Sequence, residues 1–232
     1  SVQSATFAYT ADPTPIYVWA NGTSGVATFT ITTAGGVKIG TETATFYGAV
    51  TKIAVATDPT PLTIARAGGY DTTLFYVTAK DANGVAVSGQ SFATTLTSAS
   101  TVISSVSIGS YDTDYSAYPV TVTSPQGSVS GGKSTLTIRL DDPATTAAAS
   151  VDGVYLTVTQ DVTLGGSVAT EVITLDKTSY EPGEGMVITI TAKDASGNPV
   201  WDGAASPALS STKALGGTIL AASTYAGGKV DT

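Results

Sequence analysis

Cysteine and histidine are both absent from this 232-residue chain. That removes thiol and imidazole nucleophiles, the Ser-His-Asp arrangement and the usual zinc ligands. It leaves the redox compartment open, because disulfide-free proteins work on either side of a membrane. Charge is scarce as well, at 12% of residues, about half the usual share of a soluble domain. The polar surface must therefore be built from Thr, Ser, Gly and amides. No apolar run approaches the roughly 20 residues of a membrane span, so no membrane insertion is expected in this segment. The opening SVQSATFAYTADP lacks the basic start and apolar core of a signal peptide.

What charge there is leans acidic, with a net value of −8 and a pI near 4.3. A phosphate backbone would repel such a chain, so nucleic acid is not an expected partner. Acidity serves solubility in the plain reading. The sharper reading is divalent-cation binding by clustered oxygens. Abundant Thr and Val suit pleated, half-buried strands better than helices. The composition points to an all-β protein.

One short string occurs twice. TAKDANGVAV spans residues 78–87 and TAKDASGNPV spans 191–200. Each follows a strand pattern, TLFYVTAK at 73–80 and MVITITAK at 186–193. Phe75, Val77 and Ala79 share one face of the first; Ile188, Ile190 and Ala192 share the matching face of the second. A period of two argues for strands with one side on a core, which puts Lys80 and Lys193 at the wet end. Asp-Ala-Asn-Gly and Asp-Ala-Ser-Gly then read as tight turns, with Asp capping the backbone and Gly at the positive-φ position. A further strand is expected from Val85 and from Val200.

Upstream, TKIAVATD (51–58) and TEVITLD (170–176) match as strands that end in Asp and lead into Pro-containing loops. A unit thus begins near residue 51 and again near 170. Strand candidates fill the interval at 91–98, 100–108, 118–124, 134–140 and 154–160. Short strands at regular spacing, with Gly, Pro, Asp and Ser between them, predict a sandwich. VATFTITT (26–33) and TETATFYG (41–48) predict a hairpin joined through GGVKIG. The expected division is a partial unit at 1–50, a complete one at 51–169, and the opening half of a third at 170–232, with strands near 171–175, 186–193 and 217–221.

LDKTSYEPGEGMVITITAKDASGNPV resembles the opening of bacterial immunoglobulin-like domains of surface proteins, of the surface-layer and invasin/intimin type. Lys193, Asp194, Gly197, Pro199 and Val200 carry the likeness. The earlier copy keeps Lys80, Asp81, Gly84 and Val87 but has Ala86 where Pro is usual. The resemblance covers about 25 residues in each copy. It implies tandem Ig-like β-sandwich domains, partial at both ends, in a structural, non-enzymatic protein at the extracellular cell surface. Such a protein would assemble with copies of itself into a surface layer or filament. An adhesin stalk, a carbohydrate-binding module or a phage-virion Ig-like module is the alternative, with cell-wall or surface glycans as partners.

Several motifs carry a chemical reading beside a plain one. GSVSGGKS (127–134) has Gly127, Gly132, Lys133 and Ser134 in the register of a phosphate-binding loop. That loop needs a helix after the Lys. Here Leu136, Ile138 and Leu140 alternate with polar residues, which predicts a strand. Asp112, Asp114, Asp141 and Asp142 are the densest carboxylates and the candidate calcium ligands, against a reading as solvated loops. No cofactor is required. Asp58 and Asp176, between units, form a second acidic set. Paired carboxylates can cleave glycosides, but that needs an aromatic-lined cleft, and no convergence of aromatics is legible. Trp19 and Trp201 read as sugar platforms or as packing and interdomain contacts. Asn21-Gly22-Thr23 is an N-glycosylation sequon in an expected turn.

Overall fold

The structure is a computed structural model that describes residues 6, 17–19, 21–97, 101–141, 153–213 and 223–231. The described residues form thirteen strands and no helix. Two compact units divide the chain, Ser1–Gly48 and Ala49–Thr232.

In the first unit, β1 (Gly25–Thr32) pairs antiparallel with β2 (Lys38–Phe46). Gly25, Ala27 and Phe29 of β1 and Ala44 and Phe46 of β2 are half-buried, while the Thr side chains between them face out. Strand β2 begins inside the GGVKIG segment, because Lys38 already pairs with Thr32.

The second unit holds an all-β sandwich. Its first sheet has the order β3-β5-β8-β7, from Val50–Val55, Asp71–Asp81, Tyr118–Thr123 and Ser105–Ile108. The second has the order β4-β10-β9-β6, from Ile64–Arg66, Tyr155–Gly165, Lys133–Asp141 and Ala93–Leu96. Naming these strands A to G in chain order gives A-B-E-D facing A′-G-F-C. That is the immunoglobulin arrangement. The two sheets share one core. Phe75, Val77, Val120 and Val122 come from one sheet and Leu136, Ile138, Val162 and Leu164 from the other, each no more than 1% exposed. Period-two alternation supplies these residues, except at a bulge between Thr73 and Phe75 that turns both Leu74 and Phe75 inward.

A second, smaller core follows. Strands β11 (Thr170–Leu175), β12 (Ile188–Lys193) and β13 (Lys229–Asp231) form one antiparallel sheet in that order. Ile190, Ala192, Val200, Ala204 and Tyr225 pack beneath it. The Tyr225 hydroxyl donates to the Glu171 carboxylate at 2.6 Å. Burial, reinforced by that carboxylate, pushes the hydroxyl well above the ordinary tyrosine range. The segment expected as a strand at 217–221 lies outside the described residues.

Strand β4 interrupts a stretch whose prolines read as loop. Three residues suffice because β4 runs parallel to β10, Ile64 opposite Thr163 and Arg66 opposite Gly165. The strands expected after the two Asp-Gly turns shrink to single bridges, Lys80 with Ala86 and Lys193 with Pro199.

Candidate functional site

The two copied turns are built alike. Asp81 Oδ1 accepts the N–H groups of Asn83 and Val85, both at 2.9 Å. Asp194 Oδ1 accepts those of Ser196 and Asn198, also at 2.9 Å. Gly84 and Gly197 adopt φ of +79° and +80°, a conformation that side chains other than those of Gly, Asn and Asp rarely tolerate. The copies part company just beyond the turn. Where the first continues Val-Ser-Gly (87–89), the second continues Val-Trp-Asp (200–202).

Those extra side chains lock the small core onto the sandwich. Asp202 is 2% exposed. Its Oδ2 accepts the N–H groups of Thr63 and Ile64, both at 2.8 Å. Its Oδ1 accepts the Gly227 N–H at 2.6 Å, inside its own core. The Asp202 N–H in turn donates to the Ile64 carbonyl at 2.9 Å. One residue thereby satisfies both outward-facing backbone groups of Ile64 on edge strand β4, groups that would otherwise invite another strand. One carboxylate ties the two cores together.

Asp194 adds a second tie. Its Oδ2 accepts the Gly166 N–H at 3.1 Å. Burial alone would raise this carboxyl. Hydrogen bonds from the Ser130 hydroxyl and from the N–H groups of Asn198, Gly166 and Ser196 outweigh it and hold the group below the usual aspartate range. Asn198 also donates from Nδ2 to Ser130 Oγ at 3.1 Å. The Arg66 guanidinium lies 3.6 Å from the Tyr70 ring centre and 5.3 Å from that of Trp201, a cation–π arrangement that spans the junction.

Close approach depends on two glycines. A Cβ on Gly165 would stand 2.6 Å from the Trp201 nitrogen and 2.6 Å from Ile64 Cγ2. A Cβ on Gly166 would stand 2.8 Å from Asp194 Oδ2. Gly165 at the end of β10 and Gly166 just after it therefore form a docking surface made by leaving side chains out.

No protein-family model and no curated protein matches the chain. Among solved structures it is similar to FdeC, an adhesin of Escherichia coli. The identity is 22%, covering 81% of this chain and 57% of that one, with a TM-score of 0.34. It is also similar to domains 4–9 of the surface layer protein SbsC. There the identity is 23%, covering 75% of this chain and 25% of that one, with a TM-score of 0.32. The chain spans just over half the length of the first and a quarter of the second.

The acidic candidates come from both sheets of the sandwich. Asp112 and Asp114 sit on the loop joining β7 to β8 in one sheet, whereas Asp141 closes β9 in the other. Asp142 lies outside the described residues. Asp112 Oδ1 caps its own turn, accepting the N–H groups of Asp114 at 2.9 Å and Tyr115 at 3.4 Å. No three His, Cys, Asp or Glu side chains converge as metal ligands among the described residues. Asp176 Oδ1 holds its loop through the Tyr180 hydroxyl at 2.6 Å and the Val187 N–H at 2.9 Å. Asn21 is exposed and accepts the Thr23 N–H at 3.1 Å, which fixes the sequon in a turn. Lys133 opens strand β9, so the Gly-rich loop before it has no helix N-terminus to offer a phosphate. That loop instead supplies Ser130 to the junction. Trp19 is 81% exposed beside Tyr17, while Trp201 belongs to the junction.

Proposed function

We propose that the chain is a load-bearing structural segment of an extracellular surface protein, in which Ig-like units are held at a fixed angle to one another. The supporting observation is the buried Asp202 carboxylate shared between two cores, at a junction where side-chain-free Gly165 and Gly166 admit the Trp201 backbone and the Asp194 carboxylate. Contacts between domains of one chain normally permit relative motion. A buried, fully hydrogen-bonded carboxylate resists it, because any rotation would strand the charge without partners. A fixed angle is what a regular layer or filament requires, since each copy must repeat its contacts at one orientation. Copies of the same chain are the proposed partners, at the cell surface, with no catalytic role.

The test exploits the absence of native cysteine. Spin labels on Ser107→Cys and Ser179→Cys, both exposed, report the distance between the two cores in the intact chain. The expected result is one narrow distance distribution. A broad distribution overturns fixed coupling. Electron microscopy of the full-length protein tests assembly separately: ordered layers or filaments are expected, and a strictly monomeric protein with calcium present refutes self-assembly.

A further inference from the structure

The outer face of the first sheet carries a feature that the coupling of cores does not use. Lys52 and Lys80 are direct cross-strand partners on β3 and β5, and both are exposed. Like charges placed opposite one another destabilise a sheet. Neither has a carboxylate within ion-pair distance among the described residues. Two of the chain's ten basic residues thus stand side by side and unneutralised in an acidic protein.

They close one end of a groove of about 300 Å³, at the lower limit for small-molecule sites. The cross-strand pair Ala54 and Thr78 lines it with small side chains, and Asp58 lines it as well. The wall is Tyr115, which is 44% exposed. Its ring is backed by Tyr76, with centres 4.7 Å apart. The loop that presents it is held by the Asp112 cap and by a two-way bridge between Asp112 and Ala117. The next residue, Ser116, has φ of +50°, rare for a side chain of its kind. Backbone strain of this sort persists where the surroundings impose it and often marks a site of function.

Ammonium donors, a supported aromatic face and a carboxylate acceptor are the groups that recognise a sugar ring bearing an acid. The Tyr115 face would stack on the ring, Lys52 and Lys80 would bind its carboxylate, and Asp58 would accept from its hydroxyls. We propose that the Lys52–Lys80–Tyr115 groove binds an acidic saccharide of the uronic-acid class. This inference is independent of the fixed angle between cores and survives or fails without it.

The probe is digalacturonate, titrated into the full chain and followed by amide shifts in nuclear magnetic resonance. Neutral digalactose and inorganic phosphate are the comparison arms. Saturable shifts at Lys52, Lys80 and Tyr115 with digalacturonate are expected, weaker at high salt. Substituting both lysines (Lys52→Gln with Lys80→Gln) should weaken binding about tenfold or more, as should Tyr115→Ala. All three side chains are exposed, and thermal melts confirm that the variants fold. Equal shifts with phosphate reduce the groove to an anion site and overturn the saccharide. Equal binding of digalactose, undiminished in the lysine variant, overturns the acid. No saturable shift with any probe overturns the site.

Discussion

Replacing Asp202 with Ala removes three hydrogen bonds at once. The Ile64 N–H is the most costly to strand, because Ile64 is only 7% exposed and lies on the edge of the sandwich. A buried donor left without a partner costs about 1–3 kcal/mol. Thr63 is half-buried and Gly227 exposed, so water can recover part of those two bonds. The sum comes to about 2–4 kcal/mol. The loss falls on the junction, so the small core should melt ahead of the sandwich. Trp201 reports this directly once Trp19→Phe has removed the other indole. Urea unfolding followed by Trp201 emission should shift to lower urea, while far-ultraviolet dichroism, dominated by the sandwich, shifts less. In the parent the two probes should coincide. Asp202→Asn keeps an oxygen for Thr63 and Ile64 but turns an amide N–H toward Gly227, and should lose about half as much. A Trp201 midpoint unmoved in Asp202→Ala, within about 0.5 kcal/mol, would refute the assignment of the junction to this carboxylate.

Three other outcomes follow from the same geometry. Gly165→Ala places a Cβ against backbone that cannot yield, costing about 1–3 kcal/mol, and should broaden the spin-label distance distribution; an unchanged distribution counts against close approach. The Asp194 carboxyl is held below its ordinary value of 3.8. The unfolded chain therefore takes up a proton that the folded chain still refuses, so the contribution is complete above about pH 5 and fades as the pH falls through the folded value. Urea midpoints at pH 5 and pH 3 should differ less in Asp194→Asn than in the parent, and equal differences would contradict this. Leu136→Ala opens a cavity in the sandwich at a cost of about 2–5 kcal/mol by calorimetry, without moving the spin-label distance.

Much of the architecture is legible in the residue pattern. Alternation places Phe75, Val77, Ala79, Ile190 and Ala192 inside, as they are found. Strong periodicity survives folding because a slip of one residue would turn every side chain to the wrong face. Strand β4 is not legible. Its three residues are too few to show a period, and Pro59 and Pro61 point to loop. Its strand character comes from β10, nearly a hundred residues away. The function of Asp202 is also hidden, because its partners are backbone groups, which leave no mark on sequence. A signal nonetheless exists. Asp81 and Asp194 match, and so do Gly84 and Gly197, so the turn itself cannot distinguish the copies. The mismatches of Val85 with Asn198, of Ser88 with Trp201 and of Gly89 with Asp202 are what separate a plain turn from a docking turn.

The parallel pairing of β4 with β10 has a mechanical meaning. The chain enters the sandwich through β3 and β4 and leaves it from the far end of β10. Tension along the chain would drag these two strands past each other lengthwise. Their hydrogen bonds would then share the load together, where a hairpin pulled at its open end yields them one after another. Asp202 grips the same strand from its other side. The hydrogen bonds that tie the small core therefore lie beside those that would resist a pull, which suits the load-bearing role proposed for the chain.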